Sequence, residues 1–379
     1  MSDNDNAYQV FLKPVGSRCN MQCSYCYYLG KNELFSRSGP VLMSEKVLEQ
    51  FIIQNFETSS EETAGFSWHG GEPLMAGLSF FKKVIELQQR HLPPDKRVLN
   101  GIQTNGTLIN DEYCRFFSDY EFIAGISIDG PGELHDRNRY GPDGRSTFLK
   151  SLKGYELLHK YKIPTEVLCV VNSENVKHPL IIYDFFRKLG VQFITFLPLV
   201  NLKTGSKSEV SRNSVGSKDF GIFLSTVFDE WVSEDIGRIR IQIFEEMIRP
   251  AFSQEHTLCI FRETCGRVPV VEFNGDFYSC DHYVDKEHLI GNIMSGHLSE
   301  FLESGTQREF GLAKSTMLPE YCKKCNVRPM CNGECPKNRF LQSPDGEFGL
   351  NYLCEGYKYF FNHCLPFIEA VRVAWKIPK

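Results

Sequence analysis

The chain has 379 residues, 42% of them hydrophobic, with a formal net charge of -5 and a pI near 6.1. That length suffices for one large or two ordinary domains with a substantial core, and the mild acidity excludes a polyanion-binding face, so nucleic acid is not an expected partner. Apolar runs fall short of the roughly 20 residues of a membrane helix, and the polar residues 1–7 lack the basic and apolar regions of a signal peptide, which predicts a cytoplasmic protein without a membrane partner.

In chain order, short apolar or β-branched runs at 9–12, 65–68, 98–103, 123–128, 165–171 and 192–197 predict strands. Helical periodicity at 44–56, 78–91, 111–118, 147–161 and 179–189 predicts helices between them, with one more at 218–231. β/α units in series predict an α/β fold of parallel strands with right-handed crossovers. Periodicity does not separate an open doubly wound sheet from a partial barrel. After about residue 233 the alternation stops. Runs at 268–273 and 277–280 flank Asn274-Gly275-Asp276, a hairpin signal because Asn-Gly accepts positive φ at both central positions. The stretch 319–356 is rich in loops and cysteines, so metal is expected to organise it in place of a large core. The predicted domains are 1–232 and 233–379, the second cysteine-rich and ending in a helix.

Fourteen cysteines in a chain of this size, with no signal peptide, argue for metal ligation over a disulfide scaffold. Cys19-x3-Cys23-x2-Cys26 follows the first strand, and no fourth Cys or His lies in the loop to close a zinc site. On a 4Fe-4S cluster, three thiolates leave one iron open to an exchangeable ligand. Gly70-Gly71-Glu72-Pro73 follows the second strand, where glycines admit close backbone approach and the carboxylate and carbonyls can accept hydrogen bonds from an ammonium group. Strands three and four end in Gln103-Thr104-Asn105-Gly106-Thr107 and Ser127-Ile128-Asp129-Gly130-Pro131. Toward the C-terminus, Cys259, Cys265, Cys280, Cys322, Cys325, Cys331, Cys335 and Cys354 are enough for two 4Fe-4S clusters or for four-cysteine zinc sites, and spacing alone does not identify the metal. Cys114, Cys169 and Cys364 lie in apolar patterns and read as core residues.

The three-cysteine loop with Gly70-Gly71-Glu72-Pro73 behind it resembles the radical S-adenosylmethionine (SAM) superfamily, and the C-terminal cysteines resemble its SPASM extension. Together with His69, Cys280-Asp281-His282-Tyr283 and the segment from Cys331 to Arg339, the pattern resembles the anaerobic sulfatase-maturating enzymes over nearly the whole chain. This resemblance implies a partial (β/α)6 barrel followed by a SPASM domain, with catalytic loops after the C-terminal ends of strands. It implies three 4Fe-4S clusters, SAM as cosubstrate, and oxidation of an active-site Cys or Ser of a client sulfatase to Cα-formylglycine. The implied ligands are Cys19, Cys23 and Cys26 for the SAM cluster, Cys259, Cys265, Cys280 and Cys335 for one auxiliary cluster, and Cys322, Cys325, Cys331 and Cys354 for the other.

By the same resemblance, SAM meets Tyr25, Gly70, Gly71, Glu72, Pro73, Ser127 and Arg139, whose planar fork suits a carboxylate, with Val200 packing on adenine. Tyr28 and His69 are implied on the substrate side, although some family members have Gln at the latter position. Asp281, beside the ligand Cys280, is implied as the base. The implied partners are a client polypeptide containing Cys/Ser-x-Pro/Ala-x-Arg and a low-potential electron donor such as ferredoxin or flavodoxin. Two rival readings are another SPASM maturase, for example one forming thioether crosslinks in a ribosomal peptide, and a noncatalytic metal-stabilised binding protein. The few residues before the first strand count against the leader-binding domain that such crosslinking enzymes often carry, and the open three-thiolate site opposes the second rival.

Overall fold

The computed structural model describes residues 8–34 and 41–376; the segment 1–7, read above for the absence of a signal peptide, lies outside the described residues. In chain order the strands are β1 (Phe11–Lys13), β2 (Thr63–Trp68), β3 (Arg97–Thr104), β4 (Ile123–Ser127), β5 (Thr165–Val171), β6 (Phe193–Pro198), β7 (Arg240–Ile241), β8 (Val270–Glu272), β9 (Asp276–Tyr278) and β10 (Leu289–Asn292). A short pair, β11 (Leu341–Gln342) and β12 (Phe348–Leu350), follows. Each strand expected before residue 233 is present, and the expected helices occupy Glu45–Thr58, Leu78–His91, Asp111–Asp119, Phe148–Lys160, Pro179–Lys188 and Ser217–Glu234.

Local chemistry accounts for these elements. Ser44 caps Glu45–Thr58 by accepting from the Val47 N–H at 3.3 Å, and Val47, Leu48, Phe51, Ile52 and Phe56 form its buried stripe. Asn110 caps Asp111–Asp119 in the same way, accepting from Glu112 and Tyr113. Fully buried Trp68 at the end of β2 donates its indole N–H to Asn100 at 2.9 Å, and Asn100 and Gln88 exchange side-chain hydrogen bonds, so the polar atoms inside this layer are satisfied.

The chain forms two compact units that interleave in sequence. The first comprises Met1–Ser127, Asn138–Thr165 and Gly266–Gly311. Its strand order is β10-β9-β8-β1-β2-β3-β4, parallel from β8 through β4 and antiparallel from β8 to β10. Because β1 to β4 are parallel, the loops bearing the first three cysteines, the paired glycines, Asn105 and Ser127 all emerge at one sheet edge. β8 lies beside β1 with Lys13 opposite Glu272. The expected hairpin is thus an extension of this sheet, held by buried Val270, Val271 and Phe277. A single domain boundary near 233 does not coincide with the compact units. The hairpin turn also differs in detail: Gly275 takes a positive φ of 89° but Asn274 does not, and the Gly275 N–H closes on Glu272 O at 2.8 Å.

The second unit comprises Ile128–Arg137, Glu166–Cys265 and Leu312–Lys379. It contains parallel β5, β6 and β7 and packs the helix Cys354–Ala374 on Ser217–Glu234 through contacts such as Phe220 with Tyr357 and Phe228 with Phe360. Among the described residues, no helix is long and apolar enough to cross a membrane.

Candidate active site

The three-cysteine loop leaves β1 and is tied down by its own backbone. Gln22 and Ser24 donate their N–H groups to Tyr140 O at 2.8 Å and Asn138 O at 2.9 Å, and Ser24 Oγ meets Asn138 Oδ1 at 2.6 Å. Cys19 Sγ accepts from the Met21 N–H at 3.4 Å and from Asn105 Nδ2, at the end of β3, at 3.7 Å. Burial pushes the Cys19 thiol up to about 12; the Met21 N–H opposes this, while Glu72, Cys23 and Cys26 add to it. Cys23 and Cys26 thus act electrostatically on Cys19, and three thiols on one short loop suit a 4Fe-4S cluster with one open iron.

The glycine pair seats the loop. Gly71 donates to Gly16 O and Glu72 to Arg18 O, both at 2.8 Å. A Cβ at Gly71 would lie 2.0 Å from Arg18 O, so only glycine fits this approach. Glu72, expected among the cofactor contacts, spends its side chain on the scaffold. Fully buried, it accepts from Leu74 N at 3.0 Å and Thr104 Oγ1 at 2.8 Å through one oxygen and from Asn105 N at 2.8 Å through the other. Its carboxylate thereby joins the ends of β2 and β3; burial raises its pKa to about 7 against those hydrogen bonds. Pro73 is buried and opens a 3-10 turn. At the same sheet edge, Gln103 donates to Ser127 Oγ at 3.1 Å, and the buried Arg139 guanidinium lies 5.5 Å from the centre of the Tyr25 ring.

Asp281 lies in the first unit too, in the loop after β9, and is buried. Lys13, 1% exposed, places its Nζ 2.5 Å from Asp281 Oδ1, and the Tyr27 hydroxyl donates to Oδ2. Burial opposes ionisation of Asp281, but Lys13, aided by His282, overcomes it and holds the carboxyl well below the usual carboxylate range. The His69 ring stacks on Phe11 at 3.9 Å between centres. Burial, reinforced by Lys13 and opposed by Asp281, lowers its pKa to about 3 and keeps the imidazole neutral.

Tyr28, expected on the substrate side, is 2% exposed and packs with Val270, Tyr278 and Val284, its ring lying 4.3 Å beneath Lys13 Nζ. Sequence reading missed Lys13 and Tyr27. A lysine inside Phe11-Leu12-Lys13-Pro14 was the available signal, because a charge in a buried strand requires a partner.

The second unit gathers the remaining cysteines. Cys259, Cys265 and Cys335 interact electrostatically, as do Cys322, Cys325, Cys331 and Cys354. Cys280 belongs to the first unit. The loop from Cys331 to Cys335 is held open by left-handed Asn332, Gly333 and Glu334, whose carbonyls all accept from the Arg339 guanidinium at 2.8 to 3.0 Å. Val200 is buried and its carbonyl accepts from Lys337 at 2.9 Å. Cys114, Cys169 and Cys364 are fully buried, in the places expected of core residues.

The radical SAM superfamily profile matches residues 14–186, and that of an iron-sulfur cluster-binding domain, SPASM, matches residues 259–326, which decides for iron-sulfur over zinc. A serine-type anaerobic sulfatase-maturating enzyme of Bacteroides thetaiotaomicron is 42% identical over 376 residues, covering 96% of this chain and 91% of that protein. A cysteine-type enzyme of Clostridium perfringens is 33% identical, covering 94% and 96%. The solved structure of native anSMEcpe with bound AdoMet and Kp18Cys peptide superposes with a TM-score of 0.87 at 33% identity, covering 97% of this chain and 99% of that one. Such agreement along the whole length sets aside both rival readings and gives the radical SAM α/β fold with a C-terminal SPASM domain. The chain belongs to the anaerobic sulfatase-maturating enzymes.

Proposed function

We propose that Asp281 is the general base of this enzyme and that Lys13 and Tyr27 hold it in place. The reaction converts a Cys or Ser of a sulfatase polypeptide to Cα-formylglycine. Bound SAM and the three 4Fe-4S clusters supply the hydrogen-abstracting radical and the electron transfers. The chain's own residues must orient the substrate, exclude water and take the thiol or hydroxyl proton.

The observation that carries this reading is the Asp281 carboxylate, buried and gripped at Oδ1 by Lys13 and at Oδ2 by Tyr27, one residue from Cys280. A hydroxyl or thiol beside a carbon radical is far more acidic than its parent, so a carboxylate of low basicity suffices. Its low pKa keeps it ready to accept the proton at every ordinary pH. Neutral His69 cannot act as a cationic acid there; it flanks the substrate as a packing surface. Tyr25, Ser127 and Arg139 fit the SAM side, with Arg139 directed to a carboxylate and the backbone at Gly70 and Gly71 lining the approach. Val200 is assigned to adenine on the family pattern alone.

The client enters as an extended segment carrying Cys/Ser-x-Pro/Ala-x-Arg, before the sulfatase has folded. A ferredoxin or flavodoxin in the cytoplasm supplies low-potential electrons. Asp281→Asn tests the base. Because general-base assistance contributes about 10²- to 10⁴-fold, formylglycine formation should fall by that order, with iron content and 5'-deoxyadenosine production retained. Equal loss of both products would show a structural role, and undiminished peptide oxidation would exclude Asp281 as the base.

A further inference from the structure

We infer, on the assignment of Cys19, Cys23 and Cys26 to the SAM cluster, that Asn105 tunes that cluster: its side-chain N–H, aimed at Cys19 Sγ, raises the reduction potential and so eases loading by a low-potential one-electron donor. Because Asn105 acts through Cys19, it is a positioning residue and not a catalytic one. All the residues involved belong to the first unit.

Asn105 follows β3 in the turn Thr104-Asn105-Gly106-Thr107, and its backbone is pinned on both sides. Its N–H donates to Glu72 Oε2 and its carbonyl accepts from Ser151 Oγ, both at 2.8 Å. The helix Phe148–Lys160 presses on this turn, since a Cβ at Gly154 would lie 2.3 Å from Gly106 O. The side chain is held as firmly. Asn105 Oδ1 accepts from the Thr107 N–H at 2.9 Å and from Thr107 Oγ1 at 2.7 Å, an Asx turn. Asn105 Nδ2 donates to Asn20 Oδ1 at 2.9 Å, and Asn20 Nδ2 donates to Thr107 Oγ1 at 2.8 Å, which closes a ring of three side chains.

That ring decides which way the amide points. The Thr107 backbone N–H can only donate, so Asn105 Oδ1 must face it; a flipped amide would set donor against donor there and acceptor against acceptor at Asn20. With one Nδ2 hydrogen engaged by Asn20, the other is directed to Cys19 Sγ, 3.7 Å away. Asn105 is 7% exposed, so water has little access to this contact and the N–H dipole acts in a low-dielectric setting. Hydrogen bonds to the ligand sulfurs are among the determinants of 4Fe-4S potentials. An added electron increases the negative charge at those sulfurs, so a fixed N–H stabilises the reduced form more than the oxidised one. The Met21 N–H, 3.4 Å from the same sulfur, works in the same sense, but it is a loop backbone donor that no substitution at 105 removes.

The test is an EPR-monitored redox titration of the anaerobically reconstituted full chain, without peptide or SAM, on wild type, Asn105→Ser, Asn105→Ala and Thr107→Val. The SAM cluster is identified as the signal that changes when SAM is afterwards added. Ser can still accept from the Thr107 N–H, as in ST turns, but its hydroxyl is one bond short of Cys19, and Ala lacks both contacts. Thr107→Val breaks the side-chain ring yet leaves its backbone N–H on Asn105 Oδ1. Expected in both Asn105 variants is a lower SAM-cluster potential, with the reduced-to-oxidised ratio at fixed potential falling roughly three- to tenfold, tenfold being about 59 mV for one electron. Iron should stay near twelve atoms per chain, about four for each cluster, the auxiliary signals should be unmoved, and Thr107→Val should titrate like wild type. An unchanged potential in whichever Asn105 variant keeps its iron would overturn the inference. So would an equal shift in Thr107→Val, which would show that the seating of the loop and not the N–H sets the potential. Loss of about four irons from both Asn105 variants would overturn it as well, leaving Asn105 only the work of holding the loop. Wild-type iron content checks the cluster assignment by itself, and the titration needs no turnover, so its failure is separate from failure of Asp281 as the base.

Discussion

Lys13 organises the residues around Asp281: from a parallel strand it meets Asp281 Oδ1, lies over Tyr28 and stands in register with Glu272 on β8. Glu272 is fully buried, and burial pushes its carboxyl up to about 8, with Lys13 drawing it back and Asp281 and Asp276 reinforcing the rise. A raised carboxyl means the folded state keeps a proton that the unfolded chain has released above about pH 4.3. The native state then binds more protons, so this group's contribution to stability is full below that pH and is lost as pH rises through the folded pKa. Glu272→Gln keeps the shape and removes the titration. Its stability, followed as the anaerobic thermal midpoint, should gain on wild type between pH 5 and pH 8, by at most roughly 1.4 kcal/mol for each tenfold difference in proton affinity between folded and unfolded chain; parallel midpoints would contradict it. The cysteine pattern and the Cys280-Asp281 pair stand out in the sequence because they sit in local spacing and neighbours. The contact of Tyr27 with Asp281 does not, since the two lie 254 positions apart, and the burial of Tyr28 is equally hidden, because an aromatic beside a cysteine reads alike whether it faces a pocket or a core.

The strand ends carry the next level. β1 and β2 were legible as short apolar runs and Gly70-Gly71 as a turn, but the reason for the second glycine is spatial: its absent Cβ leaves room for the Arg18 carbonyl. Gly71→Ala should push the three-cysteine loop from its seat. Iron should fall by about four of roughly twelve atoms per chain, one cluster of three, and SAM cleavage should drop at least tenfold while the auxiliary EPR signals persist. Iron content and 5'-deoxyadenosine measured on the same sample check this, and full iron with normal cleavage would refute it. The role of Glu72 was hidden for a similar reason. The sequence marks a carboxylate near the cofactor loop, whereas its three hydrogen bonds to Leu74, Thr104 and Asn105 depend on how β2 and β3 lie together. Likewise β8 and β9 were legible as a hairpin, but pairing with β1 is long-range and apolar, and local signals do not announce it.

At the scale of the molecule, the order of the first strands was legible, because β/α alternation is a property of the linear chain. The division into compact units was not, since Gly266–Gly311 joins the unit built by the first strands. That return brings Asp281 to the sheet carrying the three-cysteine loop, as the proposed pairing of proton removal with the radical chemistry requires. The most direct test is anaerobic incubation of the reconstituted enzyme with SAM, a low-potential reductant and an unfolded client peptide containing Cys-x-Pro-x-Arg or Ser-x-Pro-x-Arg with deuterium at Cβ of the target residue. The account predicts deuterium in 5'-deoxyadenosine, and a formylglycine product whose protium counterpart is lighter than substrate by about 18 Da for Cys or about 2 Da for Ser, as the chemistry of the bound cofactors requires. Deuterium-free 5'-deoxyadenosine with an unmodified peptide, from enzyme that holds all its iron and cleaves SAM, would contradict it.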